Sequence, residues 1–184
     1  NIDMLLQQLG KTPFVNKEKP TPIDEALSII YYLRYVYYDT IGELFTKIKS
    51  TFGNEHFHLH EDLIQLGFWP GGDRDGNPFV TADVTKRVAE ELHSAILKAY
   101  YNNLKSVRRR LSFRGVSDVL TKLSNELYSA IFRNEKITAE DIIKRLEEAE
   151  KILVEQHNSL FLDLLVNFKD RVKIFGTHFA TLDV

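Results

Sequence analysis

The chain has 184 residues, the size of a single domain, and its 24 Lys and Arg against 26 Asp and Glu leave a net charge of −2. That near-neutrality excludes a whole-chain basic field able to hold nucleic acid or an acidic membrane surface. The absence of cysteine excludes a disulfide framework, Cys-ligated zinc, a thiol nucleophile and an iron–sulfur cluster, while 43% hydrophobic and 27% charged residues describe a chain that buries a core.

Residues 1–20 carry Gly10, Pro13 and Pro20 among polar positions and predict a short helix followed by a linker; residues 21–184 are expected to form one helical unit. Thr21-Pro22-Ile23-Asp24 is a helix start, with Thr21 as N-cap, Pro22 at the first helical position and Asp24 closing a capping box. Apolar residues then recur at Ile23, Ala26, Leu27, Ile30, Leu33, Tyr37, Ile41, Leu44, Phe45 and Ile48, which predicts one long helix to about Lys49. Gly53-Asn54 ends it, and Glu55 to Trp69 is short, apolar-rich and bounded by glycines, so a strand or an extended lead into a loop is expected. Pro70 to Pro78 admits no regular element.

Thr81 caps a second long helix whose face is Val84, Val88, Leu92, Ala95, Ile96 and Ala99, continued by Leu104, Val107 and Leu111 toward Arg108-Arg109-Arg110 and Gly115. Ser117 to Phe132 repeats the pattern, Thr138 opens a further helix through Leu153, and a last helix is expected over Leu160 to Ile174 with Gly176 as its stop. Thr177 to Val184 alternates like a strand. The fold class expected is mainly α, a long-helix bundle with one or two short strands. The apolar runs Ala26 to Leu33 and Leu160 to Val166 are too short to cross a bilayer. A chain that starts at Asn1 and closes on a strand with no partner strand of its own predicts a piece of something longer.

The segment Trp69 to Pro78 is hard to explain as packing: glycines and prolines set an unusual backbone while Asp73, Arg74, Asp75 and Asn77 crowd polar groups together. A calcium loop fails because Pro78 stands where its glycine is required and Val84 where its glutamate is required. The dinucleotide fingerprint fails at Asp73, and the phosphate-binding G-x-x-x-x-G-K-[ST] loop fails because Asn77 and Pro78 follow Gly76. A bland alternative remains, a rigid turn in which Asp73 and Asp75 accept backbone N–H groups and pair with Arg74.

The run from Phe68 to Thr81, F-W-P-G-G-D-R-D-G-N-P-F-V-T, resembles the G-G-D-R-D-G-N-P block of the phosphoenolpyruvate carboxylase family, a long and specific motif. Pro22-Ile23-Asp24-Glu25-Ala26 resembles the family's P-x-[DE]-E-A segment, and Arg171 to Gly176 with Leu182-Asp183-Val184 resembles the strand leading to its R-Q-[DE]-S segment. The resemblance implies a slice of a large helical enzyme built around an α/β barrel, a cytoplasmic homotetramer without nucleic-acid or membrane partners. Its implied reaction joins bicarbonate to phosphoenolpyruvate with Mg²⁺ or Mn²⁺, giving oxaloacetate and phosphate and feeding the tricarboxylic acid cycle. By the same resemblance Arg74 and Asp75 are the catalytic candidates, Arg74 for anion attraction or loop ordering and Asp75 for holding it. Trp69 joins Arg74 as substrate-binding, supplying an apolar wall near the reacting carbon. Gly71, Gly72, Asp73, Gly76, Asn77 and Pro78 shape the loop near the parent active site.

Pro70 stands where the family more often has methionine or isoleucine, and Phe79 where asparagine is common. The family's T-A-H-P-T, F-H-G-R-G-G and R-Q-[DE]-S segments and its metal-binding carboxylates have no counterpart, so these residues alone are expected to be inactive and to hold no metal. His56, His58 and His60 form H-x-H-x-H, a spacing that on a strand suits zinc; without a supporting carboxylate or cysteine motif, a solvated polar face is the favoured reading. The arginines 108–110 read as a cationic helix end, and the tyrosines 31, 32, 35, 37 and 38 as surface and interface packing. The competing reading of the whole chain is a self-contained helical binding or scaffold domain.

Overall fold

A computed structural model describes residues 2–12, 19–53, 63–73 and 76–182. Helix α1 spans Ile2–Lys11. Helix α2 (Pro22–Tyr32) begins as its sequence dictates: the Thr21 hydroxyl accepts from the Asp24 N–H at 3.2 Å and the Asp24 carboxylate accepts from the Thr21 N–H at 3.0 Å.

The long helix expected to run unbroken from Thr21 is interrupted. Leu33–Tyr37 is a π-helical turn in which the Tyr38 N–H reaches back to the Leu33 carbonyl, and α3 (Tyr38–Phe52) continues from it. The wider turn inserts one residue, so the core position after Leu33 is not Tyr37, which is 48% exposed, but Tyr38, which is 4% exposed. Gly53 then ends α3 with φ of +82°.

Strand β1 (Gly67–Phe68) precedes the loop, and α4 (Ala82–Arg110), α5 (Val116–Arg133), α6 (Ala139–Gln156), α7 (Leu162–Phe175) and β2 (Thr181–Leu182) follow. The expectation of a partnerless terminal strand is overturned: β2 pairs in parallel with β1, Gly67 opposite Thr181 and Phe68 opposite Leu182. The expected start of α7 at Leu160 also shifts, because Asn158, Ser159 and Phe161 adopt positive φ and delay the helix to Leu162. Among the described residues no helix is long and apolar enough to cross a membrane.

Helix α4 is the axis of the bundle, packed against α2, α5 and α7. Its side chains Leu92, Ile96, Tyr100 and Leu104 recur every fourth residue and are at most 2% exposed. Burying each such side chain contributes about 1.5–3 kcal/mol. Where the π turn meets α4 and α7, Tyr38, Tyr100, Phe168, Phe175 and Phe179 form an aromatic cluster, with Tyr38 stacked on Phe175 at 5.5 Å and Phe175 edge-on to Phe179 at 5.2 Å. The Tyr100 hydroxyl donates to the Gly176 carbonyl at 2.7 Å and the His93 ring nitrogen Nδ1 pairs with the Thr177 carbonyl at 2.6 Å, tying the end of α7 to α4.

Ion pairs join successive helices at the rim: Lys49 with Asp170 (2.7 Å, α3 to α7), Lys169 with Glu150 (2.5 Å, α7 to α6) and Arg145 with Glu126 (2.6 Å, α6 to α5). Partly exposed pairs like these contribute at most about 1 kcal/mol each, and they fix register more than they drive folding. In the last turn of α4, Arg108 donates to the Thr121 hydroxyl at 2.9 Å, consistent with a structural role for that cationic end.

Candidate active-site loop

The strand pair launches the loop. The Thr181 N–H donates to the Leu66 carbonyl at 2.8 Å, which fixes residue 66 just before β1, and side chains then alternate: Phe68 is buried at 4% while Trp69 turns outward, 68% exposed. Trp69-Pro70-Gly71-Gly72 closes a turn through a Gly72 N–H to Trp69 carbonyl hydrogen bond of 2.9 Å. Proline at the second position and Gly71 with φ of +83° at the third are the marks of a type II turn.

A second proline turn closes the other end, where the Val80 N–H donates to the Asn77 carbonyl at 2.9 Å and the Asn77 side-chain oxygen accepts from the Phe79 N–H at 3.1 Å. Between the two, Asp73 Oδ1 accepts from the Gly76 N–H at 3.1 Å. Val80 is buried, and Thr81 caps α4 by accepting from the Val84 N–H at 3.4 Å.

The loop is held onto α4 by one side chain absent from the sequence-based candidates. The buried Thr85 hydroxyl donates to the Gly71 carbonyl at 2.8 Å, and Val88 one turn later stands where a Cβ on Gly71 would fall, 2.6 Å from its Cγ2. Thr85 lies four residues after the cap Thr81, a spacing that puts it over the helix start; that is the only sequence signal for its role.

Trp69, Pro70, Gly71, Asp73 and Asn77 line an open cavity of about 370 Å³, whose opposite wall is Pro22, Glu25 and Ile29 of α2. The structure therefore brings Trp69, Gly71, Asp73 and Asn77 to one rim, together with Pro22 and Glu25 of the α2 segment that carries the P-I-D-E-A residues, while Gly72, Gly76 and Pro78 do not line it. Arg74 and Asp75 lie outside the described residues, as do His56, His58 and His60. Among the described residues no three His, Asp or Glu side chains converge, so these residues do not themselves fit a divalent metal ion. What the rim offers is a hydrogen-bonded, glycine-lined backbone and an exposed indole beside a cavity sized for a small molecule.

A family model described as Phosphoenolpyruvate carboxylase matches residues 1–150. The chain is similar to Phosphoenolpyruvate carboxylase of Shewanella loihica, 31% identical over 94% of this chain and 20% of the relative. It is also similar to Phosphoenolpyruvate carboxylase of Aliivibrio salmonicida, 25% identical over 100% of this chain and 24% of the relative, and to Phosphoenolpyruvate carboxylase 1 of Chlamydomonas reinhardtii, 29% identical over 78% of this chain. The chain thus spans between 15% and 24% of the length of these curated relatives.

Proposed function

This chain belongs to the phosphoenolpyruvate carboxylase family, and from that premise we propose that it serves within an enzyme joining bicarbonate to phosphoenolpyruvate to give oxaloacetate and phosphate. The observation that carries the reading is the loop itself: the two ends of the G-G-D-R-D-G-N-P stretch are held by proline turns and Gly71 by Thr85, with Trp69 presented beside an open cavity. A surface turn has no need of that clamp, whereas a rim that must keep its shape around an anionic substrate does.

In this reading Trp69 supplies an apolar wall that keeps water from the reacting carbon, Arg74 attracts the anionic substrate or orders the loop, and Asp75 holds Arg74 in place. Gly71, Gly72, Asp73, Gly76, Asn77 and Pro78 fix the backbone path. The divalent Mg²⁺ or Mn²⁺ and the remaining catalytic groups come from other parts of the enzyme, so these 184 residues alone are inactive. The whole enzyme is a cytoplasmic homotetramer whose oxaloacetate feeds the tricarboxylic acid cycle.

The test is Arg74→Ala in the complete carboxylase carrying this segment. Losing one charge-assisted contact to the substrate lowers kcat/KM roughly 10- to 100-fold. A kcat/KM equal to that of the parent overturns the role given to Arg74.

A further inference from the structure

A second cavity, of about 580 Å³, opens between the π turn, α4 and α7, and shares no lining residue with the loop cavity. Three guanidinium-bearing residues line it: Arg34 from the π turn, Arg110 from the last turn of α4 and Arg171 from α7. Among the described residues Arg34 and Arg110 have no ion pair, and Arg171 has only Asp39, at 3.9 Å and 70% exposed. The Nε atoms of Arg34 and Arg171 are buried without a hydrogen-bond partner. Like charges on one partly desolvated wall destabilise the fold unless an anion compensates them.

The local structure places these groups at some expense. The π turn shifts the helix register at Arg34, and π turns within α-helices are frequent at functional sites. Gly42 on α3 leaves the space into which the Arg171 guanidinium packs; a Cβ there would stand 2.5 Å from Arg171 Cζ. Arg171 Nη1 donates to the Asn167 carbonyl at 3.3 Å, and its Cζ stands 5.6 Å from the Tyr38 ring centroid, which together set the direction of the side chain.

We propose that this cavity binds a small dianion through phosphate or carboxylate oxygens. Three guanidinium charges against the single Asp39 carboxylate leave two positive charges for the ligand to neutralise, and planar guanidinium forks match such oxygens geometrically. Asn103 and Asn167 supply further polar wall. The volume exceeds what a bare phosphate fills, so the ligand carries a short organic body.

The test is calorimetric titration of the full chain with inorganic phosphate and, separately, with succinate, at an ionic strength held constant with sodium chloride. Saturable one-to-one binding of either anion supports the site, and the anion that binds identifies its chemistry as phosphoryl or dicarboxylate. Arg110→Gln weakens that binding about tenfold, and Arg171→Gln abolishes it. Arg110 is exposed, so its variant keeps the fold and decides the matter even if Arg171→Gln unfolds. Arg145→Gln, on α6 and outside the cavity, leaves binding unchanged. No saturation by either anion, or equal affinity in the Arg110 variant, overturns the proposal.

Discussion

Replacing Gly71 by alanine tests how the loop is held. Gly71 has φ of +83°, a conformation that costs a residue with a Cβ roughly 1–2 kcal/mol. The new methyl would also sit 2.6 Å from Val88 Cγ2, closer than real Cβ contacts come, and 3.2 Å from Val88 Cβ, which is tight, and overpacking of this kind costs about 1–3 kcal/mol. Gly71→Ala should therefore destabilise the chain by about 2–5 kcal/mol in urea denaturation followed by circular dichroism. Val88→Ala alone removes a side chain that is 1% exposed and costs about 1.5–3 kcal/mol. In the double variant the collision with Cγ2 is gone, leaving the φ strain and the tight 3.2 Å approach to the Cβ of residue 88, so its destabilisation should fall short of the sum of the single effects by about 1–3 kcal/mol. A Gly71→Ala variant within about 0.5 kcal/mol of the parent, or a strictly additive double variant, would refute the placement of the loop against α4.

Other expected outcomes follow the same logic. Tyr100→Phe leaves the Gly176 carbonyl without its 2.7 Å donor and should cost about 1–3 kcal/mol by chemical denaturation; no change would mean that carbonyl finds another partner. Thr138→Ala removes a complete capping box, in which Thr138 and Asp141 exchange hydrogen bonds of 3.1 and 3.0 Å, and should cost about 1 kcal/mol by the same measurement. Burial raises the phenols of Tyr38 and Tyr100, so the folded chain holds those protons more tightly; their contribution is complete below pH about 10 and is lost as the pH rises further. Tyr38→Phe should flatten that alkaline arm in a plot of urea midpoint against pH. At the acid end, hydrogen bonds from the Thr21 hydroxyl and N–H hold the Asp24 carboxyl below its ordinary range, and those from the Thr138 N–H and hydroxyl do so for Asp141. Both contributions are present above pH about 4 and disappear as the carboxyls protonate below it, an arm that Thr21→Ala with Thr138→Ala should reduce.

Three helix starts and two helix ends were legible because the sequence punctuates them: Thr21, Thr81 and Thr138 cap where their hydroxyls say they should, and Gly53 and Gly176 stop where expected, whereas α5 and α7 begin without a side-chain cap. The π turn was not legible, since Tyr37 and Tyr38 are chemically identical and periodicity alone cannot choose which one enters the core; the wider turn and the aromatic cluster around Tyr38 choose. Both strand segments were legible, but their pairing was missed because β1 and β2 are two residues each and lie four helices apart in the chain, so nothing local names one as the partner of the other. In the loop, the two proline turns were written locally in W-P-G-G and N-P-F-V. Thr85's grip on Gly71 depends on how α4 lies against the loop, which no local pattern encodes. The convergence of Arg34, Arg110 and Arg171 is tertiary in the same sense, each arginine being unremarkable on its own helix.

The two rungs between β1 and β2 tie together positions more than a hundred residues apart along the chain. Pairing so distant in sequence carries a large loop-closure entropy, which α4 to α7 must offset before the rungs can form. Local helix contacts need no such wait, so the strand pair is expected to form after the bundle. Hydrogen exchange at Thr181, whose N–H donates to the Leu66 carbonyl, is accordingly expected to report sub-global opening before complete unfolding, with the turn at Trp69 opening ahead of the bundle.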